Sequence, residues 1–529
     1  MSVPILTCLT FLPLAGGLLL IFLPRDRVRE ARATALVFSL ATFALSLVVY
    51  ARFDGATAAA QFVERTPWLG RGLNYHVGVD GLSLFLVLIT AFLTPIALLS
   101  SWNAVTDRVR EFSFFMLLLE TGMVGVFVSL NLFLFYVFWE AMLIPMYFLI
   151  GIWGGRRRVY ATTKFVLVTM FGSLLMLVGI FVLYARANTA AAGPSLAFQD
   201  LYRMTLPPGV QTWLFLAFAL AFAIKIPLFP LHTWLPDAHV EAPTAGSVLL
   251  AAVLLKMGAY GFLRLGLPLF PDAARTFLPG LSVLAVIGII YGGLMALVQK
   301  DMKSLVAYSS VSHMGLIMLA IFALNFESTE GALFQMVNHG LSTGALFLCV
   351  GLLYERGHTR LIADYGGVER RMPVFSAVFL IAMLSSMGLP GLNGFVGEVL
   401  CLFGVLAANK LLAALAVTTT VLSASYLLWL FRRVMQGPAE SERVLGLRDM
   451  DARERLVLLP VVALIFALGV FPGTVLRKMD ASVARYLELV RTSPAARTDA
   501  AAAVQLIPPA PPSAAGVTIA RPAKAEGSR

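Results

Sequence analysis

Lys225, in the stretch LFLAFALAFAIKIPLF, and Lys256, in AGSVLLAAVLLKMGAYGF, are charged residues inside runs apolar enough to enter a bilayer. A charged side chain at the bilayer centre costs roughly 2.5–3.5 kcal/mol on insertion scales, so such residues face a protein interior, hold a partner and mark an ion or proton path. Four more titratable groups share this setting. Glu140 lies in LFYVFWEAMLIPMYFLIGIW, His313 in AYSSVSHMGLIM, His339 in QMVNHGLSTGAL, and Glu398 just after the break GLPGLNG. The chemistry such a set can perform is proton transfer. Burial disfavours the charged form of any of these groups, and a nearby opposite charge favours it. Moving a carboxylate relative to a lysine therefore changes whether the lysine holds its proton.

Each residue has a plainer alternative. Glu140 could be paired structurally with a neighbouring helix; its best candidate partner is Lys225. Lys225 could be a snorkelling anchor, but its place directly before IPLFP argues against an interfacial role. Lys256 lies about 18 Å into its span at 1.5 Å per residue, and His313 about 15 Å past Lys303 by the same rise. A single buried histidine is as often a packed core residue. Together, and with Ser309, Ser310, Ser312, Ser342 and Thr343, the two could line a hydrated relay. Glu398 could merely cap the break. Glu120, in FFMLLLETGMVGVF, is a weaker buried carboxylate, and Arg264 reads as a loop residue away from the path. His313 and His339 could also ligate a haem axially, which would leave Lys225, Lys256 and Glu398 unexplained.

The elements that must position these groups are membrane helices. The chain has 529 residues, 59% hydrophobic and only 13% charged, with a mean hydropathy of +0.85; an ordinary soluble domain carries about 25% charged residues. With about 20 apolar residues per crossing, the pattern predicts an all-α membrane protein of about 14 transmembrane helices, at about 3–23, 32–51, 80–101, 112–129, 131–153, 161–185, 211–230, 244–266, 277–298, 304–324, 331–354, 373–404, 409–433 and 455–476. Spans 7 and 12 are broken, by IPLFPLHTWLPDAHVEAPTAGS and by GLPGLNG. They lie five spans apart, so a repeat of spans 4–8 onto 9–13 runs inverted, an arrangement that transporters use. The implied units are residues 1–111 (spans 1–3), 112–266 and 277–433 (two five-helix repeats), 434–476 (the last span), and 477–529 (an interfacial helix and a disordered tail). The first span lacks a basic leader and a cleavage site, and reads as retained.

The net charge of +11 sits in short loops beside spans, which loop anchoring explains better than a nucleic-acid surface. Odd-numbered loops carry roughly 21 Lys and Arg and even-numbered loops roughly 8, which places the odd loops in the cytoplasm and both termini opposite. Cys8, Cys349 and Cys401 have no paired spacing, so neither a disulfide framework nor an iron–sulfur site is supported. No metal site is expected.

Five stretches, FYVFWEAMLIPMYFLIGIWGG, KIPLFPLHTWLPDAHVEAPTAGSVLLAAVLLKMGAYG, QKDMKSLVAYSSVSHMGL, FQMVNHGLSTGALFL and LPGLNGFVGE, resemble the antiporter-like membrane subunits of respiratory NADH–quinone oxidoreductase, complex I. They cover spans 5 through 12. The resemblance implies proton-path roles for Glu140, Lys225, Lys256, His313, His339 and Glu398. The carboxylate at Glu398 resembles the M-type branch, where L- and N-type and Mrp-type relatives carry lysine. It further implies a subunit without a cofactor of its own, with FMN, iron–sulfur clusters and quinone chemistry in partner subunits. The expected partners are L-type and N-type antiporter-like subunits and the lipid bilayer, with no nucleic acid, and the expected place is the bacterial inner membrane with both termini periplasmic. An Mrp-type cation/proton antiporter subunit or a membrane hydrogenase subunit is the alternative.

Overall fold

The computed structural model describes residues 4–70, 72–187, 194–439 and 442–492; the expected disordered tail falls outside the described residues. Eleven helices are long and apolar enough to cross a membrane, or twelve when Ala452–Val470 is joined to Gly473–Arg491, from which it bends by 67°. The shorter apolar helices Leu84–Ser100, Pro373–Ser386 and Asn393–Ala408 supply span 3 and the two halves of span 12. In chain order these helices occupy the fourteen expected positions, and the fold is the α-helical membrane bundle that the hydropathy requires.

Both breaks are where proline and glycine put them. Span 7 runs Pro208–Lys225, turns through 226–233, and resumes as the half-helix Trp234–Glu241. Span 12 stops at Ser386 and restarts at Asn393. Backbone groups freed by a break inside a membrane must be satisfied by protein. Accordingly the half-helix Trp234–Glu241 is packed between spans 6 and 10. Cations meet its C-terminal end: Arg360 donates to the Val240 carbonyl at 2.5 Å and Lys303 to that of Ala242. Positive charge at a helix C-terminus complements the exposed carbonyls.

Three helices form the centre. Spans 8 (Thr244–Leu269), 10 (Met302–Phe322) and 11 (Phe326–Gly357) are almost wholly enclosed by the others, whereas spans 2, 6 and 13 turn most of their surface outward. Gly340 shows how the centre closes. A Cβ there would lie 2.5 Å from Ile89 Cδ1 of span 3 and 3.0 Å from the Ala252 carbonyl, so a side chain would press span 11 away from spans 3 and 8.

Within that bundle the structure adds three local features that hydropathy alone does not predict. First, a two-stranded antiparallel hairpin, Gln61–Pro67 with Asn74–Val79, joins spans 2 and 3 of the helical bundle. Its Glu64 accepts hydrogen bonds from the Leu6 and Thr7 N–H groups at 2.8 and 3.1 Å, satisfying donors at the start of span 1. Second, span 5 divides at Met142 into Leu132–Ala141 and Leu143–Trp153. Pro145 lacks the N–H that would bond Ala141, and the flanking bonds Met142 N to Phe138 O and Met146 N to Met142 O are stretched to 3.4 Å. Third, span 8 contains two π-helical turns, Leu250–Leu254 and Phe262–Gly266. The segment expected at 477–491 as an interfacial helix is a helix, Gly473–Arg491, that packs against span 11.

Arg264 corrects a further expectation. It is not a loop residue but lies buried in the second π turn of span 8, where it donates to both oxygens of Asp80 at 2.5 and 2.6 Å and to Tyr260 Oη at 3.0 Å. Tyr202 Oη in turn donates to the Arg264 carbonyl at 2.7 Å. Removing one partner of a buried ion pair costs about 3–5 kcal/mol, because the other charge is left uncompensated. Arg264→Ala is therefore expected to lower the yield of folded protein in the membrane and its thermal midpoint. The double substitution Asp80→Leu with Arg264→Leu is expected to recover most of that loss. An unchanged midpoint in the single variant would show that the pair carries no structural load.

Candidate functional site

The enclosed helices bring four of the six candidate residues into one line. Lys256 is fully buried and follows the first π turn by two residues. In that turn hydrogen bonds run five residues back, as from Leu255 N to Leu250 O. The Ala251 carbonyl, which an α-helical turn would occupy, accepts instead from Lys256 Nζ at 2.5 Å. The same nitrogen lies 2.6 Å from His339 Nδ1. His339 Nε2 has no hydrogen-bond partner among the described residues, and its ring centroid is 5.5 Å from that of His313. His313 Nδ1 is 3.5 Å from Glu398 Oε1. The line thus runs amine, imidazole, imidazole, carboxylate, from span 8 through spans 11 and 10 to span 12.

Each of these groups is at most 3% exposed. A buried polar group without a partner costs free energy, yet both nitrogens of His313 and Glu398 Oε1 make no hydrogen bond among the described residues. Packing holds these groups in line. Gly388 sits against Glu398: its φ of +74° suits glycine, and a Cβ there would lie 2.6 Å from Glu398 Oε2.

The other two candidates lie apart from this line. Lys225 ends the first half of span 7 and is 1% exposed. Its Nζ has no hydrogen-bond partner among the described residues and lies 5.4 Å from the Trp139 ring centroid and 5.8 Å from that of Phe165. Glu140 is half-buried, with Oε1 unpartnered and Ser173 beside its carboxylate. The two residues are near enough to feel each other's charge. The direct pair expected from the sequence is not formed, because two aromatic faces take the ammonium. Trp139 and Phe165 were missed in the sequence; the one signal was a tryptophan directly before Glu140. Glu120 is fully buried, and neither of its oxygens has a partner among the described residues.

The hydroxyls expected beside the histidines divide into two kinds. Ser309 and Ser310 donate to the Val306 carbonyl at 2.7 and 3.3 Å, and Ser312 to Ile289 O at 2.8 Å, so these three bind the helix frame. Ser342 is joined to the break in span 12, and Thr343 Oγ1 is unpartnered among the described residues.

Fold and site together define a multi-pass, antiporter-like membrane subunit whose core carries a line of buried titratable groups. Residues 129–423 match the family described as NADH:quinone oxidoreductase/Mrp antiporter, transmembrane. The NADH-quinone oxidoreductase subunit M of Rhodobacter capsulatus is 48% identical over 495 residues, 92% of this chain and 96% of that relative. A chain of respiratory complex I from Thermus thermophilus superposes with a TM-score of 0.85 at 34% identity, covering 92% of this chain and all of that one. A chain of the Mrp complex from a Dietzia species superposes at 0.81 over 93% of this chain and all of its own, but at 20% identity shares the fold alone. The chain belongs to the antiporter-like membrane subunits of NADH–quinone oxidoreductase, on their subunit M branch.

The two lysines should respond differently to removal of charge. Lys256→Met leaves the Ala251 carbonyl and His339 Nδ1 without their partner, at about 1–3 kcal/mol for each unsatisfied group, and is expected to lower both assembly and transport. Lys225→Met loses no hydrogen bond, and is expected to assemble normally while losing more than half of proton transport. Native gels with vesicle acidification check both, and equal assembly of the two variants would contradict the contrast.

Proposed function

We propose that this chain moves protons across the membrane as one subunit of a multi-subunit NADH–quinone oxidoreductase, using energy released by redox chemistry in partner subunits. One observation carries the reading: the line Lys256, His339, His313, Glu398 at 2.6, 5.5 and 3.5 Å. Lys256 Nζ holds a proton against His339 Nδ1 and hands it across a hydrogen bond already made. The imidazole releases a proton from Nε2, and a water or a ring turn spans the gap to His313. His313 Nδ1 passes a proton to Glu398. Imidazole suits the middle of such a path because one nitrogen accepts while the other gives.

Lys225 and Glu140 form the input half in this reading. In this reading the separation of Glu140 and Lys225 sets whether the lysine holds its proton, since an approaching carboxylate favours the charged form. Residues 112–266 and 277–433 then act as two inverted units, each with one broken helix, joined through Lys256. Flavin, iron–sulfur clusters and quinone chemistry fall to partners, which include L-type and N-type subunits. The excess of basic residues in odd loops supports a bacterial inner-membrane placement with both termini periplasmic. The carboxylate at Glu398 and the 48% identity to a subunit M favour this reading over a cation/proton antiporter.

Glu140→Gln and Glu398→Gln are each expected to lower protons pumped per quinone reduced by more than half, with assembly intact. Lys225→Arg is expected to fail likewise, because arginine does not release its proton in proteins. Pumping by reconstituted complex, normalised to quinone reduction, checks all three. Normal pumping in Glu398→Gln would remove Glu398 from the path.

A further inference from the structure

The break in span 12 is held by a network that the proton path itself does not use. Ser385 Oγ donates to Asn393 Oδ1 at 2.5 Å, across the break from the last turn of one half-helix to the first residue of the next. A serine hydroxyl has one proton to give. The 2.5 Å contact between Ser342 Oγ and Ser385 Oγ is therefore donated by Ser342, which lies on span 11 three residues after His339. Asn338, the residue before His339, donates from Nδ2 to the Asn393 carbonyl at 2.8 Å and to Gln335 Oε1 at 3.4 Å. All five side chains are at most 3% exposed. The turn between the half-helices is closed by Gly388 N to Ser385 O at 3.2 Å and Leu389 N to Leu384 O at 3.1 Å.

This arrangement determines where Glu398 stands. Glu398 lies five residues after Asn393, on the same helix, with Gly388 of the turn against its carboxylate. Gly397 faces Gln335 with no room for a Cβ, so the helix is seated on span 11 at that level. Span 11 also carries His339. A shift of Asn393 relative to Asn338 or Ser342 moves the Glu398 carboxylate relative to His313, whose 3.5 Å separation is already at the outer limit of a hydrogen bond.

We propose that Ser342, Ser385, Asn393 and Asn338 form a latch that fixes the two halves of span 12 on span 11 and thereby positions Glu398 for proton exchange with His313. They are positioning residues: their side chains hold the frame, and Glu398 does the exchange. The directionality of the chain, Ser342 to Ser385 to Asn393, makes Ser385 its weakest point, since its single hydroxyl both accepts and donates. The proposal rests on the reading of Glu398 as a proton carrier.

The test uses the assembled complex in sealed vesicles, with pumping and quinone reduction measured together. Ser385→Ala removes one hydroxyl without adding volume. It is expected to lower protons pumped per quinone about fivefold, the factor set by one net hydrogen bond, with assembly on native gels unchanged. Ser385→Thr, which keeps the hydroxyl, is expected to restore pumping; a role in packing alone would not be rescued in this way. Ser342→Ala, should Ser385→Ala fail to assemble, is expected to give the same ratio. Combining Ser385→Ala with Glu398→Gln is expected to cost no more than Glu398→Gln alone, because the latch acts through that carboxylate. Normal pumping in Ser385→Ala and Ser342→Ala beside an impaired Glu398→Gln would overturn the latch and leave the role of Glu398 standing. An additive loss in the double variant would also overturn it. Normal pumping in Glu398→Gln would overturn the latch together with the reading beneath it.

Discussion

A polar group that loses water inside a bilayer must find its partner within the protein, or stay unpaired at a cost of several kcal/mol. Several departures from a straight helix in this chain show that constraint. The break in span 7 ends in a half-helix whose C-terminal carbonyls are met by Arg360 and Lys303. The break in span 12 is bridged by Ser385 and Asn393. The π turn in span 8 turns the Ala251 carbonyl towards Lys256 Nζ. In spans 7 and 8 a side chain from another helix or the next turn takes a carbonyl near the irregular backbone.

The same constraint explains why the titratable groups are gathered rather than scattered. A lone buried charge is expensive, but a line of groups at contact distance can share one charge among several places. Spans 8, 10 and 11 are enclosed by the remaining helices, so the line is shielded from lipid on every side. The helices that face outward carry few charges in their middles. Lys225 stands between the two regimes: it is buried, but aromatic faces rather than a hydrogen bond receive it.

Asp80 and Arg264 show the rigid counterpart of this machinery. Their bidentate contact, with Tyr260 and Tyr202 around it, anchors the second π turn of span 8 to the start of span 3. The first π turn, near Lys256, has no such clamp among the described residues. One end of the helix is thus pinned by a satisfied pair, while the other carries an amine with alternative acceptors.

The amino-acid sequence by itself determined the number and order of the spans, the two breaks and the six candidate residues. Each of those follows from local chemistry: apolar length sets a crossing, proline and glycine end a helix, and a charge in an apolar run stands out wherever the helix sits. It did not determine the small hairpin, because Gln61–Pro67 and Asn74–Val79 pair only when spans 1 to 3 set their ends together. Nor did it determine that Lys256 meets His339, that Lys225 meets Trp139 and Phe165 instead of Glu140, or that Arg264 is buried on Asp80. Such contacts depend on how far each helix is rotated and shifted against its neighbours. Close approaches such as Gly340 on Ala252 set those shifts, and only the packed tertiary structure decides which residues they align.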